Sequence, residues 1–217
     1  MAQDGARGGS DGPRGGVPGR DVDASVGHEL SLTYTPRLDD AVALALTDFR
    51  RVTRKESRVP YISHLFAVTA LVAEGGGDED QLIAAMLHDW LEDIPGSSGE
   101  ELHRRFGGRV QRIVEALTDT IEHPKPPWRA RKERFIEHIR EQPAEVKLVC
   151  SADKLHNGQT LVRDLLRDGP ATLDRFRGGR DGTAWYYAAV AEAIGDGFDH
   201  WLHDELVGVA AQIRSFV

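Results

Sequence analysis

From Pro36 to about residue 215 the apolar side chains recur three and four positions apart, segment after segment, with Gly or Pro at the joins. That period belongs to the α-helix, which gathers such residues on one face, whereas a half-buried strand needs strict alternation. No run of convincing alternation interrupts it, and no internal repeat appears at a fixed period. The chain is therefore predicted to be all-α, a bundle of about eight to ten helices. PRLDDAVALALTDFRRV places Leu38, Val42, Ala45, Leu46 and Phe49 on one face behind Pro36, which suits a first helical turn. Further helices are predicted over roughly 62–74, 78–93, 109–118, 128–141, 144–167, 183–195 and 199–215. Gly75-Gly76-Gly77 ends the second, Asp78 caps the third and Pro95-Gly96 ends it. Ser97 and Ser98, three residues ahead of Glu100 and Glu101, form a capping-box pattern that starts a short helix stopping at Gly107-Gly108.

Residues 1–30 are rich in Gly, Pro, Arg and Asp and nearly free of large apolar side chains, so a disordered tail is expected there. Residues 31–217 are expected to form one domain, for which a 40% hydrophobic content suffices. A net charge of −8 argues against a broad surface for nucleic acid or anionic membrane. Cys150 is the only cysteine, which excludes an internal disulfide framework and any multi-cysteine metal cluster. No apolar run approaches the roughly 18 to 20 residues of a membrane span, and no signal-like apolar segment begins the chain. A cytoplasmic protein is the expectation.

The segment AAMLHDWLEDIPG, residues 84–96, sets a specific problem. In the predicted helix over 78–93, Glu92 and Asp93 lie at the C-terminus, where the macrodipole opposes each by about 0.3–1 kcal/mol. With His88 at zero, Glu92 falls at about 40°, Asp89 at about 100° and Asp93 at about 140°, one polar arc. One turn upstream that arc carries Leu82, Ala85 and Met86, so the helix is apolar all round there and its polar end opens into a cleft. A solvated acidic face is the plainer alternative. Adjacent His and Asp can chelate a cation, and two further donors lie in apolar surroundings: His64 in RVPYISHLFAV and Asp153 in VKLVCSADKLHNGQTL. Each alone reads more readily as a core residue. Together they give the order H…HD…D.

With these segments the chain resembles the HD-domain metal-dependent phosphohydrolases, and more closely the hydrolase domain of RelA/SpoT-type alarmone enzymes and the small stand-alone alarmone hydrolases. The resemblance spans about residues 38–195: RKESRVPYISH, LHDWLED for HDxxED, FGGRVQRIVEALTDT and ADKLHNGQTL. It implies that His64, His88, Asp89 and Asp153 bind a divalent metal, usually manganese in these hydrolases, with Fe²⁺ or Zn²⁺ compatible with the same donors. It implies Glu92 and Asp93 as catalytic acids. Arg54 and Lys55 match the family's basic pair beside the purine, Asn157 the asparagine at the nucleotide sugar, with Thr160 beside it and Tyr61 as a pocket wall.

The implied activity removes the 3′-pyrophosphate from guanosine tetra- or pentaphosphate, giving GDP or GTP and pyrophosphate. Alternatives are another phosphorylated nucleotide, such as an adenine alarmone or the 2′-phosphate of NADPH, or a non-catalytic nucleotide-binding module. The length is expected to leave no room for a synthetase domain. Arg58, Leu65 and Ile94 stand where the family usually has Gly, Pro and Thr. Lys125, Arg129, Arg131 and Lys132 read either as a phosphate entrance or as a charged first turn. Trp185, Tyr186 and Tyr187 read as core or as a stacking platform, and His123, His138, His156, His200 and His203 as structural or surface residues.

Overall fold

A computed structural model describes residues 34–54, 57–122 and 124–217. The tail predicted over 1–30, Lys55 and His123 lie outside the described residues. Among the described residues ten α-helices follow one another and no strand forms, apart from an isolated antiparallel bridge between Thr53 and Pro60. Helix α1 (Pro36–Asp48) begins where Thr35 Oγ1 accepts from the Arg37 N–H, with Pro36 as its first residue. It tightens into a 3₁₀ turn, Phe49–Arg51, earlier than the periodicity suggests, as Phe49 turns inward to stack on Tyr61 with ring centroids 5.5 Å apart.

Helix α2 (Ile62–Glu74) buries His64, Val68 and Val72, spaced i, i+4 and i+8, so the histidine lies in the core-facing stripe. Helix α3 (Glu79–Leu87) starts from a capping box in which Asp78 and Gln81 exchange both bonds, at 3.2 and 3.0 Å. Five consecutive residues, Ile83 to Leu87, are buried because α3 packs against α1, α2, α6 and α8.

The predicted helix over 78–93 is in fact two. Helix α3 stops at Leu87 and a single turn, α4 (Trp90–Asp93), restarts beyond Asp89, whose φ of −98° and ψ of 4° leave the helical region. The restart follows Trp90, which is buried and donates its indole N–H to Asp48 Oδ2 at 2.7 Å on α1. Glu92 and Asp93 therefore belong to a one-turn helix, and the expected conflict with the dipole of a long helix does not arise.

Helices α5 (Gly99–Phe106) and α6 (Gly108–Leu117) meet at Gly107, whose φ of 90° favours glycine. Ser98 Oγ accepts from the Glu101 N–H at 3.2 Å, one of the two bonds of the predicted box. Helix α7 (Trp128–Arg140) leads into α8 (Ala144–Asp168), 25 residues and about 37 Å long, which packs against α2, α3, α6, α9 and α10. An unpredicted 3₁₀ turn, Pro170–Arg175, precedes α9 (Gly179–Gly195), which starts a turn earlier than expected, and α10 (Trp201–Arg214) closes the fold. Helix α10 approaches α8 at Gly158, where a Cβ would stand 2.4 Å from Val209 Cγ1. Asp153 thus sits on the helix that most of the others surround. No helix among the described residues is long and apolar enough to cross a membrane.

Candidate active site

The break between α3 and α4 decides the geometry of the site. His88 caps the end of α3 and Asp89 opens α4, so that His88 Nε2 and Asp89 Oδ2 approach to 2.9 Å. Helix α2 brings His64 and α8 brings Asp153: His64 Nε2 lies 3.2 Å from Asp153 Oδ1 and 3.8 Å from Asp89 Oδ2, and His88 Nε2 lies 3.5 Å from Asp153 Oδ1. One donor atom each from His64, His88 and Asp89 falls within 4.8 Å of the other two. The four predicted donors are brought together.

Both imidazoles turn Nε2 into this cluster. His88 Nδ1 stands 2.8 Å from the carbonyl of Ala85 and His64 Nδ1 2.8 Å from His156 Nδ1, whereas both Nε2 atoms are buried without a hydrogen-bond partner. The electrostatics also call for a cation. Burial alone would depress His88, yet the carboxylates of Asp89 and Asp153 raise it well above the ordinary histidine value. Asp153, despite its burial, is held well below the usual carboxylate range by Lys154 and His88. Two ionised carboxylates, that of Asp89 partly open to solvent, and two buried, unpartnered ring nitrogens, all closely spaced, fit a divalent metal ion.

A second layer of bonds holds these side chains. The Tyr61 hydroxyl donates to Asp89 Oδ2 in a short bond. Lys154 Nζ donates to Asp153 Oδ2 and Asn157 Nδ2 to Asp153 Oδ1, each at 2.6 Å. Arg54 Nη2 donates to Asn157 Oδ1 at 2.6 Å, and its guanidinium lies 5.5 Å from the Tyr61 ring centroid. Tyr61 and Asn157, read from the sequence as substrate contacts, are thus bonded to the carboxylates of the cluster. Such partners fix the orientation of a metal-binding side chain.

Beside the cluster opens a cavity of about 930 Å³. Arg54, Tyr61, Asn157 and Thr160 line it, as does Glu92, whose Oε1 accepts from Lys125 Nζ at 2.7 Å. Asp93 is exposed at the next position and is not among the lining residues. Of the basic segment, Lys125, Arg131 and Lys132 line the cavity, while Arg129 stacks outside it on Trp185, 3.3 Å from the ring centroid. Arg131 and Lys132 share Asp119 Oδ2, the lysine at 2.7 Å. Tyr186 and Tyr187 are buried and also line the wall.

His156, read as structural or surface, lies in contact with His64 and on the cavity wall. Its position three residues after Asp153, within ADKLHN, was the available signal. His200 and His203 are structural, bonded to the carbonyls of Gly75 and Ala191 at 3.1 and 3.0 Å.

Residues 41–174 match the family described as the HD domain. Over 140 residues the chain is 36% identical to the guanosine-3′,5′-bis(diphosphate) 3′-pyrophosphohydrolase MESH1 of Xenopus tropicalis, covering 61% of this chain and 74% of that protein. It is 33% identical over 145 residues to the bifunctional (p)ppGpp synthase/hydrolase SpoT of Escherichia coli K12, covering 62% of this chain and 20% of SpoT. A solved structure described as a metazoan ortholog of SpoT that hydrolyses ppGpp superposes with a TM-score of 0.67 at 25% identity, covering 84% of this chain and 98% of that one. With the helical order and the H…HD…D cluster already in place, the chain belongs to the HD-domain family, with relatives among the (p)ppGpp hydrolases.

Proposed function

We propose that this protein is a metal-dependent phosphohydrolase that removes the 3′-pyrophosphate from guanosine tetra- or pentaphosphate, releasing GDP or GTP. The observation that carries the reading is the buried cluster of His64, His88, Asp89 and Asp153 set beside Glu92 on the wall of a basic cavity. The named activity of its relatives supports the same substrate. Those four side chains would hold the metal, with manganese as the proposed ion, and a cytoplasmic setting accords with the single buried thiol of Cys150. A divalent cation in such a site polarises phosphoryl oxygens and eases the ionisation of water.

The chain's own residues supply the rest. In the net reaction a water oxygen bonds to the phosphorus next to the ribose, the bond from that phosphorus to the 3′-oxygen breaks, and the leaving oxygen gains a proton. In this reading Glu92, whose carboxylate Lys125 orients, accepts the proton from water, with Asp93 at the next position as the second acid. Lys132 and Arg131 present positive charge to the diphosphate, and Arg54, with the face of Tyr61 behind it, is suited to a purine. Asn157 and Thr160 line the same wall, and Lys55, matched by its position in the sequence alone, completes the proposed set of substrate contacts. The test incubates purified, Mn²⁺-loaded protein with guanosine tetraphosphate, an adenine alarmone and NADPH, and separates products by chromatography. Turnover fastest with the guanosine compound, with pyrophosphate as its product, is the expected result, whereas loss of the NADPH 2′-phosphate would appear as orthophosphate. With metal shown to be bound, no pyrophosphate release from the guanosine compound overturns the substrate.

A further inference from the structure

We propose that His156 is a positioning residue of the metal centre: it accepts a hydrogen bond from His64 Nδ1 and so fixes the tautomer in which His64 offers its Nε2 lone pair to the cation. This rests on the metal centre proposed above.

A neutral imidazole has one lone pair available in its plane. For a histidine to ligate through Nε2, its Nδ1 must carry the proton and, when buried, must find an acceptor. His88 meets this through the carbonyl of Ala85, which can only accept, so its tautomer is settled by backbone geometry. His64 is fully buried and faces no such carbonyl; its Nδ1 meets the Nδ1 of His156 at 2.8 Å. A bond between two imidazoles can run in either direction. If His156 donated, His64 would carry its proton on Nε2, aimed at Asp153 and Asp89, and would be lost as a ligand. Only with His156 as acceptor do both ring nitrogens of the cluster face the cation unprotonated.

The fold holds His156 to this task. It lies on α8 one turn after Asp153, with its ring centroid 4.9 Å from that of His64. Its acceptor role requires its own proton on Nε2, and as a residue of the cavity wall it can keep that proton without a buried partner. One turn of α8 thus supplies both a carboxylate of the cluster and the acceptor that orients a histidine of α2.

The test measures Mn²⁺ affinity of the metal-freed full chain by calorimetry. His156→Leu removes the acceptor and should weaken binding about 10- to 100-fold, while His156→Asn, whose amide oxygen can accept in place of Nδ1, should stay within about threefold of the parent. Parent-like affinity in His156→Leu overturns the inference and leaves the metal centre standing. Absence of Mn²⁺ binding by the parent overturns the metal centre itself. A second measurement needs no substitution: long-range proton–nitrogen spectra of the Zn²⁺-loaded parent should show His64 protonated at Nδ1 and His156 at Nε2. A proton on His156 Nδ1 overturns the proposal.

Discussion

Lys125 Nζ reaches across 2.7 Å to Glu92 Oε1, tying the loop ahead of α7 to the one-turn helix that follows Asp89. The pair is largely shielded, with side-chain exposures of 28% and 19%, so the bond orients Glu92 on the cavity wall. Replacing Lys125 by Met should lower kcat about tenfold or more, in line with the roughly 1.5–3 kcal/mol of a hydrogen bond to a charged group. Lys125→Arg should recover part of it. Steady-state kinetics with the guanosine substrate reads both, and an unchanged kcat in Lys125→Met removes the orienting role.

Glu92→Gln and Asp93→Asn keep the shape of each side chain and remove its basicity. Each should lower kcat by about 10²- to 10⁴-fold, the range for a positioned general acid or base. Neither contributes to the H…HD…D cluster, so Mn²⁺ stoichiometry should not change. Wild-type turnover in either variant would strip that residue of its assignment.

Chelation should destabilise the fold, because the cluster then buries carboxylates that lack their counter-ion. Mn²⁺ at a hundred times its dissociation constant stabilises by about 2.7 kcal/mol if it binds only the folded chain. At about 2–4 °C per kcal/mol for a domain of this size, Tm should fall by about 5–10 °C on adding EDTA. Thermal melts with and without chelator provide the measurement; coincident melts would mean that the cluster holds no ion.

Asp119 and Arg131 form a buried ion pair, with side chains only 7% and 8% exposed, and Lys132 joins the same carboxylate oxygen. Asp119→Ala would leave two cations without a counter-charge next to the cavity. A loss of about 3–5 kcal/mol is expected, as when one partner of a buried pair is removed. Urea unfolding gives the value, and a loss within about 0.5 kcal/mol, the usual spread for surface substitutions, would contradict the pairing.

At Gly158, α8 packs against side chains of both α9 and α10. A Cβ added there would lie 2.4 Å from Val209 Cγ1 and 3.0 Å from Tyr187 Cε1. Gly158→Ala should therefore cost about 1–3 kcal/mol through overpacking, although alanine is the better helix former. Pairing it with Val209→Ala should restore most of the loss in the same unfolding assay. No restoration would point away from this contact.

The donors were legible in the sequence because chemistry limits them: His64, His88, Asp89 and Asp153 are residue types that bind cations, set in otherwise apolar stretches. The helices were legible too, several to within a residue, as with Ile62–Glu74. What stayed hidden depends on contacts distant in sequence. The break at Asp89 leaves the apolar period of residues 78–93 unchanged and follows from Trp90 docking on Asp48, 42 positions away. His156 looked structural because its spacing from Asp153 fixes a face of α8 and says nothing of how α2 crosses it. Tyr61 and Asn157, read as pocket residues, do line the cavity, but their bonds to Asp89 and Asp153 require the assembled core.

The interruption between Leu87 and Trp90 bears on any attempt to transplant this chemistry. Copied onto an unbroken helix, His88 and Asp89 would project about 100° apart, whereas here, at the joint, His88 Nε2 and Asp89 Oδ2 meet at 2.9 Å. A scaffold that borrows the motif must borrow the irregular joint as well, together with an anchor equivalent to Trp90 on Asp48 that keeps the joint from straightening. The portable unit is an interrupted piece of backbone, and the letters HDxxED describe only its decoration.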